Sequence, residues 1–255
     1  MGIIQRVFWI AVIIAAVAAV GYAFWLRQEL EPARLGADFC PISEEYPTHV
    51  IIVIDQSDPF AASDVQWMDR VITDVARRVP RGGRISLMAL RSDTPYDQQA
   101  VFTGCSPGSP ALADPRYENP EMIRVAWETH LLGPLQEHAA GILRDTAQPQ
   151  PTSPLIEALI GIRDRADFQD DVTDRRVVIL SDLVQNSSDF SFFQSGVSWP
   201  AYQRSRLGGN DTPDLDGIDV EIRLVPRRTD RFTDRELRAF WRQFGEATKA
   251  DVVYR

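Results

Sequence analysis

The chain has 255 residues, 44% of them apolar and 25% charged, which is the balance of an ordinary globular protein. Its formal net charge of −9 argues against a nucleic-acid partner and against a basic membrane-binding face. Lys249 is the only lysine, so chemistry that needs a lysine has one candidate.

Val7–Leu26 (VFWIAVIIAAVAAVGYAFWL) runs without a charge. Those residues make a helix of about 30 Å, the thickness of a bilayer core. Phe8 and Trp9 at one end and Tyr22 and Trp25 at the other stand where interfacial aromatics anchor a span. The other reading is a cleaved signal peptide with Gly21-Tyr22-Ala23 as its cleavage site, but the apolar run exceeds a signal-peptide core of roughly 7–15 residues. Residues 1–26 are therefore read as a single-pass membrane anchor, 27–47 as a Pro-containing linker and 48–255 as the domain. Arg6 flanks one end and Arg27 and Arg34 the other, so basic residues nearly balance. A very short tail before one long domain fits a signal anchor in the cell membrane, with the domain on the exported, periplasmic or extracellular side.

Val50–Asp55 is apolar and β-branched up to its last residue, the pattern of a strand buried on both faces. Ala62–Val79 has an apolar stripe at helical spacing, and Ser63-x-x-Gln66 resembles a capping box. After the turn Pro80–Gly83, Arg84–Leu90 is a second strand, and Ala100–Thr103 a short antiparallel edge strand. Cys40 lies in the linker and Cys105 just past this third strand; a disulfide between them would fit an oxidising compartment. Pro120–Thr146 is a long amphipathic helix that Gly133-Pro134 kinks or splits. A Pro-rich connector, Ala147–Pro151, leads to a strongly apolar helix running from Thr152-Ser153-Pro154 to about Ala166. Arg176–Ser181 is another buried strand, followed by Asp182. Leu183–Gly209 is irregular and aromatic. Ile218–Pro226 alternates, so one face should be exposed. Thr233-x-x-Glu236 caps a helix to Thr248, and Asp251–Tyr254 is a last strand. The order gives an α/β fold, a three-layer α/β/α sandwich around a mostly parallel sheet.

Oxygen-bearing side chains end or flank three buried elements: Asp55-Gln56-Ser57, Thr152-Ser153 and Asp182. If the two buried strands are neighbours, these groups converge on one sheet edge, where open α/β folds place their ligand sites. Carboxylates and hydroxyls with few basic groups nearby suit a hard cation such as Mg²⁺. Here the chain resembles a von Willebrand factor A domain with its metal-ion-dependent adhesion site. DQSDP stands for that family's Asp-x-Ser-x-Ser, PTSPLIEAL for its later Thr loop and VVILSDL for its Ser-Asp-Gly-like strand end. The resemblance covers residues 48–255. It implies a Mg²⁺ held by Asp55, Ser57, Ser153 and Asp182, with Thr152 as the alternative to Ser153. Pro59 replaces the second Ser of the first motif, and Leu183 the usual Gly.

The resemblance implies a protein-interaction module, not an enzyme, working in an envelope or membrane-associated assembly. A bound Mg²⁺ would accept a partner's carboxylate. Phe190, Phe192, Phe193 and Trp199 are the candidate partner surface, with a loop tucked onto the sheet as the other reading. No small-molecule substrate is evident. A metal-free scaffold and a metal-dependent hydrolase are the alternatives. A phosphoryl-transfer site with Asp55 as nucleophile lacks its second Asp, where Ser57 stands, and Lys249 is badly placed for it. His49, His130 and His138 have no metal-ligand spacing, and the last two are expected on the packing surface of a helix.

Overall fold

The computed structural model describes residues 2–29, 34–144, 151–209, 212–225 and 231–255, with side chains in the first helix described at 8–10 and 12–22. Helix α1, Ile3–Glu29, is continuous over 27 residues. Among the described residues no helix is long and apolar enough to cross a membrane; the span inferred from Val7–Leu26 rests on the sequence. Leu35–Arg255 forms a separate compact unit, which begins ahead of the first strand. Residues 30–33 of the inferred linker and 145–150, with the end of the long helix and most of the Pro-rich connector, lie outside the described residues.

The compact unit is built on six strands: β1 Thr48–Ile54, β2 Arg84–Ala89, β3 Ala100–Cys105, β4 Asp174–Ser181, β5 Ile218–Leu224 and β6 Asp251–Tyr254. Their order in the sheet is β3-β2-β1-β4-β5-β6. All pairs are parallel except β2–β3. Strand β1 is buried throughout because its alternate side chains enter two cores. Ile51 and Val53 join one, and Val50, Ile52 and Ile54 the other. Helices α2 (Ala62–Arg77), α3 (Pro120–Trp127) and α4 (Gly133–Arg144) cover one face. Helices α5 (Leu155–Arg163), α6 (Phe192–Ser195), α7 (Trp199–Arg204), α8 (Arg206–Gly209) and α9 (Asp234–Thr248) cover the other. The α/β class and the antiparallel edge strand agree with the sequence reading.

Several local expectations need correction. Helix α2 starts at Ala62 as the sequence predicts, but its reciprocal cap comes from Asp64, whose Oδ2 accepts the Ala61 N–H at 2.9 Å, rather than from Ser63 and Gln66. The long second helix is interrupted by a π-helical turn, Glu128–Leu132, in which the Gly133 N–H donates to Glu128 O. Pro134 has no N–H for the preceding turn, and the chain takes in an extra residue there. Helix α5 begins only at Leu155, since the Ser153 backbone pairs with Asn186 instead. His130 and His138 are exposed; His49 is the buried histidine. Strand β5 does not expose a whole face, because Glu221 is buried and receives both Arg78 Nη atoms at 2.9 and 3.1 Å. Burial alone would raise the Glu221 carboxyl, but the Arg78 and Arg223 guanidiniums hold it below its ordinary value. The Thr233 capping box forms as expected, with Glu236 Oε2 accepting the Thr233 N–H at 2.9 Å.

A disulfide joins Cys40 to Cys105. Cys105 pairs with Arg84 at the start of β2. The bond therefore fixes the entering chain to the amino-terminal edge of the parallel strands.

Candidate functional site

Strands β1 and β4 lie side by side, with Ile54 opposite Leu180. This is where the strand order reverses direction, the crevice in which open α/β sheets bind ligands. The Asp55 N–H continues the ladder to Leu180 O at 3.0 Å, so Asp55 and Ser181 end up adjacent. Both follow residues of the same core, Val53 and Ile179, and strand alternation turns them toward the side that carries α5.

The buried Asp55 carboxylate is the hub. Its Oδ2 accepts the Ser181 hydroxyl at 2.6 Å and the Ser153 hydroxyl at 2.8 Å, and its Oδ1 accepts the Ser57 N–H at 2.9 Å. Ser153 reaches it because its N–H and C=O pair with Asn186, at 2.8 and 2.9 Å, on the chain leaving β4. That chain is itself held from within the fold. Gln185 Oε1 accepts the Ile156 N–H at 3.0 Å, and Gln185 Nε2 donates to the buried Glu157 at 2.9 Å. Burial pushes the Glu157 carboxyl above its ordinary range.

Asp182 follows on the same strand end, and its Oδ1 accepts the Val184 N–H at 3.0 Å. Between them Leu183 is fully buried with φ of +67°, the left-handed region that favours glycine. Its carbonyl accepts the Trp241 indole N–H at 3.0 Å, which ties the turn to α9. On the other side of the sheet Gln56 Nε2 donates to Ile142 O at 2.8 Å, closing the β1 exit against α4.

Asp55 and Ser153 thus touch, and Ser57 joins Asp55 through its backbone. Thr152 meets Ser92 instead, accepting that hydroxyl on its carbonyl at 3.0 Å. Ser181 was not singled out in the sequence, although its position as the last residue of RVVILS and the period of two could have found it.

The donor set expected from the sequence is two carboxylates, Asp55 and Asp182, with the Ser57 and Ser153 hydroxyls; of these, Ser153 reaches Asp55 through its side chain and Ser57 through its N–H. Among the described residues no three acidic, histidine or cysteine side chains cluster. Mg²⁺ is commonly held by one or two carboxylates and keeps several waters, so this oxygen-only set fits it. The Ser153 hydroxyl donates its hydrogen bond to Asp55 and keeps lone pairs for a cation. Asp55, in contrast, already accepts three protein donors out of about four positions. It is arranged chiefly to hold the serines.

The aromatic segment is mostly core. Phe190 and Phe192 are 4% and 1% exposed, in a cluster with Tyr202 and Phe240. Trp199 packs on the same cluster. Phe193, at 41% exposure, is the one of the four open to a partner; it stacks under the Arg231 guanidinium at 5.1 Å.

No protein-family model matches the chain and no curated protein is significantly similar to it.

Proposed function

We propose that this chain is a membrane-anchored protein-interaction domain of the von Willebrand factor A type, exported to an oxidising compartment. It would capture a protein partner at the carboxyl ends of β1 and β4. The observation that carries the reading is the convergence of Asp55, Ser153 and Ser181, next to Asp182, at the sheet's switch point. Val7–Leu26 would be the single-pass anchor, and the Cys40–Cys105 disulfide agrees with the exported side.

In this reading Asp182, Ser57 and Ser153 hold a Mg²⁺ with Asp55 behind them. The cation supplies a positive charge and an open position for a carboxylate oxygen of the partner. The residues of the chain fix the serine hydroxyls and keep the strand ends together. A second reading, a metal-free scaffold of a membrane complex, is favoured by the three protein donors, from Ser57, Ser153 and Ser181, that Asp55 already accepts.

A photo-crosslinking residue at Pro59, exposed just past the first motif, in the full chain in native membranes, tests this. A protein cross-linked there, lost on chelation of divalent cations and in Asp182→Ala, supports metal-dependent capture. A cross-link indifferent to both favours the scaffold. No cross-link at Pro59 contradicts a partner at this edge.

A further inference from the structure

Among the described residues, strand β6 is the second open edge of the sheet, paired with β5 on one side. Asp251, Val253 and Arg255 are exposed, while Val252 and Tyr254 are half-buried on the side of α9. Tyr254 donates its hydroxyl to Arg238 O at 3.0 Å. The Arg255 N–H donates to Ile222 O in β5 at 3.1 Å. Alternation along the strand therefore turns the N–H and C=O groups of Val252 and Tyr254 away from β5, toward the open side. Such an edge is a template for another strand.

We propose that β6 pairs antiparallel with β6 of a second copy of this chain, about a two-fold axis through Val253. In this register Val252 faces Tyr254 of the second copy, and Tyr254 faces its Val252. These are the residues whose backbone groups point outward, so they form the hydrogen-bonded pairs. On the exposed face Asp251 stands opposite Arg255 of the second copy, twice by symmetry, with Val253 against its equivalent between them. A shift of two residues either way sets Asp251 or Arg255 against Val253 and loses both charge pairs. The other open edge, β3 (AVFTGC), carries no charged residue and offers no such complement.

The faces that would join also match. No residue of β5 or β6 belongs to the core beneath α2–α4. On that side Arg78, Arg176, Asp219, Glu221, Val253 and Arg255 line a groove with Leu112. Pairing would run the two grooves into one across the axis.

The test uses the full chain in detergent and in membranes. The two cysteines of the chain are joined to each other, so Val253→Cys introduces the one free thiol. Across a non-hydrogen-bonded antiparallel pair the Cα atoms stand about 4.5 Å apart. Air oxidation should then convert most of Val253→Cys to a disulfide dimer, while Val101→Cys, exposed on β3, stays monomeric. Arg255→Asp sets like charges opposite twice per dimer and should raise the dissociation constant by about tenfold. The double variant Asp251→Arg/Arg255→Asp should restore it. A monomeric mass with no Val253→Cys dimer overturns the proposal. So does equal cross-linking from Val101→Cys, which would mark the Val253→Cys disulfide as a product of random collision, or a charge swap that fails to restore the dimer.

Discussion

Ser181 donates its hydroxyl to Asp55 Oδ2 across 2.6 Å, joining the last residue of β4 to the first residue past β1. The same Ser181 oxygen accepts the Leu183 N–H at 2.9 Å, so one side chain sets both the strand ends and the turn that presents Asp182. Ser181→Ala removes a buried hydrogen bond to a charged group and should cost about 2 kcal/mol of unfolding free energy. Asp55→Ala strands two buried hydroxyls and should cost about 3 kcal/mol. Ser153→Ala added to Ser181→Ala should be non-additive, because both donors share one oxygen. Denaturant titrations of the single and double variants measure this.

Leu183 combines full burial with φ of +67°. Its side chain contributes to the core beneath α9, while its backbone is held in a region costly for a residue with a Cβ. Both Leu183→Ala and Leu183→Gly should destabilise through the cavity they leave. Leu183→Gly should be the more stable of the two by about 1 kcal/mol, the reverse of the usual order. Thermal unfolding of the pair decides it.

His49 couples stability to pH. It is fully buried, with Nδ1 2.8 Å from Asp167 O and Nε2 3.0 Å from Ser86 Oγ. Burial first, and the Arg84 and Arg165 charges, bring it down to about 4, against the favourable Asp167 contacts. The unfolded chain, with a His near 6.5, takes up the proton first. The contribution of His49 is therefore full above about pH 6.5 and is lost as pH falls toward 4, a loss of about 3 kcal/mol. His49→Phe should flatten the stability profile over that window, as read by denaturant midpoints from pH 7 to pH 4.

The Cys40–Cys105 disulfide closes a loop with a sequence separation of 65. By the chain-entropy estimate such a loop is worth about 4 kcal/mol. Cys40→Ser/Cys105→Ser should lower stability by about 2–4 kcal/mol. It should also free Leu35–Pro41, which pairs with itself and meets Gly82, from the amino-terminal edge. A lower melting temperature and new protease cleavage near Phe39 would report both effects.

The buried strands were legible because Val50–Ile54 and Val177–Leu180 have apolar, β-branched side chains on both faces. DQS and SD at their ends marked the switch point for the same reason: polar groups begin where the sheet stops. What the sequence hid depends on register and packing. The partnership of Ser181 with Asp55 needs β1 and β4 aligned to the residue. Phe190 and Phe192 look like a sticky loop until Tyr202 and Phe240 are seen around them. Glu221 reads as a solvent-facing residue of an alternating strand, and its burial follows from Arg78, far away in the chain, arriving at the end of α2. The π-helical turn at 128–132 could be placed near Gly133-Pro134 but not named, because a kink, a break and an extra residue all answer the missing N–H.

The central claim is that the edge formed by Asp55, Ser57, Ser153 and Asp182 binds a divalent cation for partner capture. The direct measurement is a calorimetric Mg²⁺ and Mn²⁺ titration of the full chain in lipid nanodiscs, beside Asp182→Ala with its circular dichroism unchanged. The account predicts saturable binding of about one ion per chain, with a rise in melting temperature, lost in Asp182→Ala. No heat and no thermal shift at millimolar metal would contradict it and leave the metal-free scaffold as the reading of this edge.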